Sequence, residues 1–339
     1  MTNHVAALDE LDRRIVAALQ VNGRASWRRI AEVIGEPERT VARRAARLFD
    51  AGMVKVKALA SPERTGRGDP AVLRLRCEPR CLRPAASELA LHEASLWVYA
   101  IAEGSEAVAE VFCPPQHFAG FLHEDVSALP GLVGYSAHPV LHYFRVVDTW
   151  QPGILTQDQV TRLVDPPTHK PVPHFGPVIE LDSDERAIMK ALIIDGRATH
   201  EELAGVAGVS KATARRRVEA LRSMDLLNIR AVVEPSLLGL PVEAVLWLKA
   251  AGRHVNPIGR ALAALPFVRY AAAVTGEHQI VAQVAMPDKT ALHQLLSSDA
   301  DWMRHVDAME VSLVVDVFKR SDVLALKLPL GRGNLETEI

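Results

Sequence analysis

An internal duplication constrains this chain more than any other feature. When the 339-residue sequence is compared with itself at an offset of 173 residues, LDELDRRIVAALQVNGRAS (8–26) aligns with LDSDERAIMKALIIDGRAT (181–199). The alignment continues without a gap, gives 16 identities over 48 positions, and matches again where AVLRLR (71–76) meets AVLWLK (244–249). A repeat at a fixed offset indicates two copies of one folding unit.

A proline-rich segment separates the two copies. Residues 151–178 contain six prolines, a composition typical of an extended, semi-rigid linker. Residues 157–163 have the pattern of a short helix, but we favour a plain spacer for the whole segment.

Composition limits the class of protein. Hydrophobic residues make up 49% of the chain and charged residues 24%, which is ordinary for a folded globular protein. No apolar run approaches the roughly 18 residues that a membrane helix needs, and residues 1–11 lack the pattern of a secretory signal. Cys77, Cys81 and Cys113 are too few for a disulfide framework. We therefore expect a cytoplasmic protein without a membrane partner.

Each copy opens with three short helical patterns. In the second copy Asp182 is a suitable N-cap for the first helix, which Gly196 ends. A second helix covers residues 199–207, and after a glycine turn Ser210 can cap a third helix over 211–224. A short helix, a glycine turn and a helix with one polar and one apolar face are the helix-turn-helix pattern.

The third helix of each copy carries the candidate contacts with nucleic acid. Apolar residues at helical spacing (41, 45 and 48; 214, 218 and 221) turn one face inward, so most basic residues fall on outward faces. A guanidinium can bind a phosphate or pair with a guanine edge. The candidates are Arg39, Thr40, Arg43, Arg44 and Arg47 in the first copy and Ser210, Lys211, Thr213, Arg215, Arg216 and Arg217 in the second.

The distribution of charge favours nucleic-acid binding over a merely solvated arginine face. Residues 8–57 contain 11 basic and 7 acidic side chains, and residues 181–230 contain 9 and 8, although the whole chain has a net charge of −2. Positive charge is thus concentrated where the helix-turn-helix pattern lies, as phosphate binding requires. For Arg44 and Arg217, which share one position in the two copies, a structural role bridging helices is the favoured alternative.

An α+β pattern follows each helix-turn-helix. The second copy predicts strands at 242–251, 267–276, 279–286 and 309–319 with helices at 257–265 and 289–296. The first copy predicts strands at 71–77, 95–102, 107–112 and 138–147 with helices near 85–91 and 116–129. The order β-α-β-β-α-β is the ferredoxin-like arrangement.

The predicted fold class is therefore α+β: two winged-helix-like helix-turn-helix domains, each followed by a ferredoxin-like βαββαβ domain. The predicted boundaries are 1–60 and 179–235 for the helix-turn-helix domains, 61–150 and 236–325 for the ferredoxin-like domains, 151–178 for the linker and 326–339 for a C-terminal tail.

Together these segments resemble the Lrp/AsnC family of bacterial and archaeal transcriptional regulators. The family pattern LD-x₂-D-x₂-IL-x₂-L-x₂-NGR is nearly complete in residues 8–24, and IA-x₂-VG-S-x₂-T-x₃-R-x₂-L in residues 203–221. The resemblance covers nearly the whole chain and implies two fused family units. It also implies that the helix-turn-helix binds double-stranded operator DNA, and that the ferredoxin-like RAM domain pairs subunits and holds an amino-acid-like effector. We expect a homo-oligomer without a cofactor.

The resemblance places the effector site near a T-G-x-x-D turn after the second strand. The corresponding residues are Thr275, Gly276, Glu277, His278 and Gln279, with glutamine where aspartate is common. Residues 102–108 of the first copy keep little of this turn, and Pro37 stands where Ser210 caps the second copy.

Two further residue pairs are not expected to bind metal. Cys77 and Cys81 lack a second pair at zinc spacing, and His138 and His142 share one face of a predicted strand.

Two alternatives to a regulator stay open. One is an enzyme like the sirohaem decarboxylases, which share the two-part architecture. That resemblance requires a histidine- and tyrosine-bearing segment at the first ferredoxin-like strand, and neither residue occurs in 71–77 or 242–251. We therefore expect no enzymatic activity. The other alternative is an assembly or effector-binding protein whose helix-turn-helix units have lost DNA binding.

Overall fold

The computed structural model describes residues 8–164 and 176–324. The helices are α1 Glu10–Val21, α2 Trp27–Ile34, α3 Glu38–Asp50, α4 Leu82–Leu91, α5 Pro115–Gly120, α6 Gln157–Leu163, α7 Ser183–Ile194, α8 His200–Ala207, α9 Lys211–Ser223, α10 Gly252–Ala264 and α11 Lys289–Leu296. The strands are β1 Lys55–Ala60, β2 Asp69–Cys77, β3 Ser95–Ile101, β4 Glu106–Cys113, β5 Leu132–Arg145, β6 Leu227–Val232, β7 Val242–Lys249, β8 Val268–Val274, β9 Ile280–Met286, β10 Ala308–Arg320 and β11 Val323–Leu324. None of the helices in these ranges has the length and apolarity needed to cross a bilayer.

The described chain forms two compact units. The first contains the residues up to Asp69 together with Pro139–Leu313, and the second contains Pro70–His138 and the residues from Val314 onward. Both helix-turn-helix modules and most of the second α+β segment therefore belong to the first unit, whereas β10 from Val314 onward belongs to the second. The second unit contains most of the first α+β segment.

Both helix-turn-helix modules are built alike. Asp9 caps α1 by accepting a hydrogen bond from the Asp12 amide, and Asp182 caps α7 in the same way. Gly35 and Gly208 end the middle helices with φ of 73° and 66°, a left-handed conformation that favours glycine. Fully buried side chains fill each module, including Ile15, Leu19, Ile30 and Val41 in the first and Ile188, Leu192, Leu203 and Leu221 in the second.

The two modules are joined by a strand pair related by a local two-fold axis. β1 pairs with β6 in antiparallel register, and Lys57 faces Arg230. These two residues are one repeat length apart, so the axis passes between them. The Gly23 amide donates to the Ile229 carbonyl at 2.8 Å, and the equivalent Gly196 amide donates to the Val56 carbonyl at 2.9 Å. One continuous hydrophobic core includes side chains from both modules.

The expectation of a plain spacer between the copies is wrong for residues 157–163. Thr156 forms a capping box with Gln159, and α6 then buries Val160 and Leu163. Leu163 belongs to the core that the two modules share. The Gln159 side-chain amide also donates to the Val33 carbonyl at 3.2 Å. Since Val33 is 6% exposed and its counterpart Val206 is 58% exposed, α6 covers the first module only. The proline-rich residues 166–173 lie outside the described ranges.

The two α+β segments have the same strand order. In the first, the sheet order is β3-β4-β2-β5, and in the second it is β8-β9-β7-β10, which is the second, third, first and fourth strand in both cases. Helices pack on one face of each sheet over alanine- and leucine-rich cores. The predicted β-α-β-β-α-β order is therefore present in both copies.

Three predicted elements differ in extent. α10 begins at Gly252 and contains Pro257, whereas a proline at the first helical position would have placed the start five residues later. The helix expected near 116–129 is α5 followed by a π-helical turn at Phe121–Val126. β5 begins at Leu132, six residues before the predicted start at 138.

Alanine substitution should change the free energy of unfolding in opposite directions at a crowded glycine near the local two-fold axis and at an uncrowded glycine elsewhere. A Cβ at Gly23 would lie 2.8 Å from the Ile229 carbonyl oxygen and 2.7 Å from Val56, so Gly23→Ala should cost about 1–3 kcal/mol of unfolding free energy. Gly205 lies in α8 with open space around it, so Gly205→Ala should stabilise by up to about 1 kcal/mol. Urea unfolding measures both. An unchanged midpoint for Gly23→Ala would contradict the close approach.

Candidate nucleic-acid interface

The third helix of each module has the orientation that the sequence predicts. Val41, Ala45 and Leu48 are buried on α3, and Ala214, Val218 and Leu221 are buried on α9. The opposite faces of both helices are exposed and basic. Arg39 and Arg43 on α3 and Arg216 on α9 are exposed and have no ion pair with another residue of the described ranges.

Two other basic residues of α9 form surface ion pairs. The Lys211 ammonium lies 3.1 Å from a carboxylate oxygen of Glu201, and Arg215 Nε lies 2.9 Å from that of Glu219. The pairing with Glu219 raises the pKa of Arg215. Exposed pairs of this kind contribute about 0–1 kcal/mol, so a phosphate can replace the carboxylate at little cost.

Arg44 and Arg217 have a different environment from the exposed arginines. Arg44 pairs with Asp9 and Asp12 at the start of α1, and both arginines are about three-quarters buried. Arg217 pairs with Asp182 at 2.5 Å and with Asp184 at 3.1 Å at the start of α7. Arg47 also pairs with Asp12, although its side chain is mostly exposed. Each module thus uses an arginine at the same position of the third helix, Arg44 or Arg217, to hold the first helix, and the first module adds Arg47.

The caps of the two third helices differ as the sequence indicates. The Ser210 hydroxyl accepts a hydrogen bond from the Thr213 amide at 3.2 Å and lies 3.0 Å from the Thr213 hydroxyl. At the equivalent position Pro37 supplies no side-chain cap, and the Thr40 amide donates to the Pro37 carbonyl instead. Ser210 and Thr213 therefore order the start of α9, next to its basic face.

The predicted effector residues form one turn between β8 and β9. Gly276 has φ of 105°, a conformation that requires glycine. The Gln279 side chain accepts from the Ala250 amide at 3.0 Å and donates to the carbonyls of Gly276 and Glu277. The glutamine that replaces the common aspartate thus fastens the turn to the end of β7.

The other residues of this turn also have contacts within the first unit. The Thr275 amide donates to the Pro139 carbonyl at 3.0 Å. Glu277 pairs with Lys249 at 3.4 Å, and the His278 ring lies 6.2 Å from that of Trp247.

The cysteines and strand histidines have ordinary local environments. Burial raises the pKa of the Cys77 and Cys113 thiols. His138 lies 2.9 Å from the Ser136 hydroxyl, and the His142 ring packs against Phe144. Within residues 8–164 and 176–324, no three histidine, cysteine or acidic side chains are grouped so that they could hold a metal ion.

Sequence reasoning missed one pair of arginines. Arg24 and Arg197 belong to the repeated Gly-Arg-Ala sequence, and each donates to backbone carbonyls of the opposite module. The exact recurrence of this tripeptide in both copies could have drawn attention to the arginines. Their role could not be inferred from it, because the contacts form only when the two modules pair.

The fold places this protein in the class that contains AsnC-type helix-turn-helix modules, here as a pair. The sequence matches the AsnC-type helix-turn-helix domain twice, at residues 8–48 and 181–222. Residues 243–324 match the Lrp/AsnC ligand binding domain.

Similar proteins support the same classification. The uncharacterised HTH-type transcriptional regulator PH0140 of Pyrococcus horikoshii is 30% identical over 149 residues, which is 44% of this chain and 94% of that protein. The HTH-type transcriptional regulator FL11 of Pyrococcus abyssi is 27% identical over 129 residues, 38% of this chain and 85% of that protein. The chain belongs to the Lrp/AsnC family of transcriptional regulators, and it contains the helix-turn-helix domain of that family twice.

A solved structure is similar over nearly the whole chain. The siroheme decarboxylase NirDL superposes with a TM-score of 0.58 and covers 94% of each chain, at 14% sequence identity. At this identity the likeness shows a shared fold and nothing about a shared activity.

The buried arginines predict an acid-sensitive contribution to stability. Backbone hydrogen bonds to the caps, together with Arg44 and Arg217, hold the pKa values of Asp9 and Asp182 below their ordinary 3.8. A lowered carboxyl pKa stabilises the fold above the ordinary value, and this contribution is lost as pH falls through the folded value. The double variant Arg44→Ala/Arg217→Ala should therefore lose stability at neutral pH.

Urea unfolding between about pH 6 and about pH 3 tests this expectation. The variant should show a shallower decline in unfolding free energy with acid than the wild type. Arg28→Ala/Arg215→Ala removes the same two charges from exposed pairs with Glu32 and Glu219 and is the matched control. Parallel acid profiles for the double variant and the wild type would show that these ion pairs do not act through the two caps.

Proposed function

We propose that this protein regulates transcription by binding one operator with both helix-turn-helix modules of a single chain. The observation that carries this proposal is the local two-fold pairing of the modules through β1 and β6. Helix-turn-helix dimers read two half-sites about one DNA turn apart, because a two-fold pair presents two recognition helices to the same side of the duplex. Here one chain would supply both helices.

The two half-sites of this operator should differ in sequence. Arg43 and Arg216 occupy equivalent exposed positions, but Arg39 corresponds to Ala212 and Arg215 corresponds to Ala42. Arginine that reaches a base edge discriminates by about 1–3 kcal/mol per bidentate pair, so exchanging its position changes the preferred base. The operator is therefore expected to be an imperfect palindrome.

We assign different roles to the basic residues of the two helices. Those with exposed side chains would contact phosphates or base edges, and they are Arg39, Arg43, Arg47, Lys211, Arg215 and Arg216. Thr40, Ser210 and Thr213 would lie near the DNA backbone at the helix starts. Arg44 and Arg217 would act indirectly, because their ion pairs position the third helix on the first.

We infer that the α+β segments are ferredoxin-like RAM domains, and that they bind a small-molecule effector. Their strand order is the one that the ferredoxin-like fold requires. The turn at 275–279 would take an amino-acid-like effector, with Gln279 maintaining its shape rather than contacting the ligand. Association into a homo-oligomer in the cytoplasm is part of the same proposal, as are the boundaries given above for the helix-turn-helix and ferredoxin-like domains.

An enzyme related to siroheme decarboxylase is the second candidate, because NirDL has a similar fold over nearly the whole chain. Neither β2 nor β7, the first strands of the two α+β segments, contains histidine or tyrosine. A tetrapyrrole site on those strands would therefore lack the histidine and tyrosine that the resemblance to the decarboxylases requires. We infer that the chain is not an enzyme.

Gel retardation distinguishes these functions. The purified protein is incubated with DNA from upstream of its own gene and with operators selected from random DNA, at two salt concentrations. Competitor-resistant, salt-sensitive retardation is expected. Failure to enrich any sequence would contradict the proposal. A Soret-region absorbance change on titration with iron uroporphyrin would then favour the enzyme, and no response to either would favour an assembly role.

Replacing free arginines of α3 should reduce the salt dependence of operator binding. Each lost phosphate contact lowers the slope of log K against log salt by about 0.9, because fewer counterions are released. Arg39→Ala/Arg43→Ala is therefore expected to flatten the slope by about 1–2, measured by fluorescence anisotropy. Arg260→Ala, an exposed arginine on α10, is the matched control and should leave the slope unchanged. An unchanged slope in the double variant would exclude both residues as phosphate contacts.

A further inference from the structure

Two arginines cross the local two-fold axis in opposite directions. Arg24 follows α1 and donates through Nη1 to the carbonyls of Gly196 and Ala198, at 2.8 and 2.9 Å. Arg197 occupies the equivalent place after α7 and donates through Nη1 to the carbonyls of Gly23 and Ala25, at 2.7 and 3.3 Å. Each guanidinium thus leaves its own helix-connecting loop and fastens the loop of the other module. We call this reciprocal pair the arginine clasp.

The clasp is held in a fixed geometry. The Arg197 guanidinium lies 4.2 Å from the centroid of the Trp27 ring, a distance at which cation–π attraction is effective. Burial lowers the pKa of both arginines, and their mutual repulsion also lowers that of Arg197. Retaining two neighbouring, partly buried cations costs free energy, so the clasp is not explained by simple solvation of surface charge.

The strand pair alone leaves one motion poorly fixed. β1 and β6 form a sheet of two strands, and such ribbons have the widest range of twist. A change in ribbon twist rotates one module against the other and moves α3 relative to α9. The clasp lies beside the ribbon and joins the loops that lead into α2 and α8. It is therefore placed to resist this rotation.

We propose that Arg24 and Arg197 are positioning residues that set the spacing and mutual orientation of the half-sites. They need not touch DNA, because they act through the distance between α3 and α9. The inference rests on the proposed function, since half-sites exist only if both modules bind DNA. It adds a specificity determinant that lies outside the third helices.

Operators with altered spacing test this role. The selected operator is prepared with 2 or 5 base pairs inserted between its half-sites, which rotates one half-site by about 70° or 170° around the duplex. The wild type should bind these probes at least about tenfold more weakly than the original. Arg24→Ala/Arg197→Ala should reduce the loss for the 2-base-pair probe to about threefold, because a change in ribbon twist lets α3 and α9 follow part of the rotation. The 5-base-pair probe should still bind weakly, since the β1–β6 pairing and the shared core keep the two modules joined.

Two control experiments distinguish a positioning role of the arginines from an effect of lost charge and from unfolding of the protein. Arg24→Lys/Arg197→Lys keeps both charges, but a lysine ammonium lacks the planar, rigid donor geometry with which each guanidinium holds two carbonyls. This variant should therefore keep the salt dependence of operator binding and lose part of the spacing preference. A probe with a single half-site should bind the alanine variant and the wild type within about twofold. An alanine variant that keeps the wild-type spacing preference, or loses affinity for the single half-site as strongly as for the operator, overturns the proposal.

A distance measurement on the protein alone keeps this inference separate from the proposed function. Ala46→Cys on α3 and Ala212→Cys on α9 are exposed alanine positions, and Cys81→Ser removes the partly exposed native thiol. Double electron–electron resonance between nitroxides at the two sites should give one narrow distribution with the clasp intact and a broad one after Arg24→Ala/Arg197→Ala. Equal widths would overturn the clasp's role. Failure of all DNA binding with a clear broadening would overturn only the proposed function.

Discussion

The antiparallel contact between β1 and β6 is the interaction on which the rest of the structure depends. It places equivalent residues of the two copies opposite one another, so every contact near the axis occurs twice. The contact requires a backbone approach so close that Gly23 and Gly196 have no room for a Cβ. Once the strands pair, the two modules share one hydrophobic core and the third helices become the outer, basic surfaces of a single body.

Much of this fold could be predicted from the sequence because the signals are local. Helical spacing and the glycine turns at Gly35 and Gly208 define the modules, and alternating apolar residues define most strands. The helix at 157–163 was underestimated, because it depends on contacts with a distant part of the chain: Leu163 packs in the core of the modules, and Gln159 donates to the Val33 carbonyl. Proline also misled the assignment at α10, because Pro257 was placed at the start of a helix that in fact begins at Gly252.

The site was less predictable than the fold because residue type does not reveal partners. Arg43 and Arg44 are adjacent in sequence, yet one is exposed and the other is held by two carboxylates. The recurrence of Arg44 as Arg217 suggested that both arginines have a structural role. The sequence did not indicate which carboxylates they pair with. Gln279 could be recognised as a departure from a pattern, but its three hydrogen bonds to the backbone depend on the folded turn.

Joining both modules in one polypeptide changes their pairing from a bimolecular to a unimolecular reaction. Two separate chains must meet before their strands can pair, so the fraction paired falls on dilution. Here β1 and β6 meet within one molecule, and their pairing is independent of protein concentration. Exchange of subunits cannot recombine α3 with a third helix from another chain through this contact. The two unlike recognition surfaces are consequently produced, folded and inherited as a fixed pair.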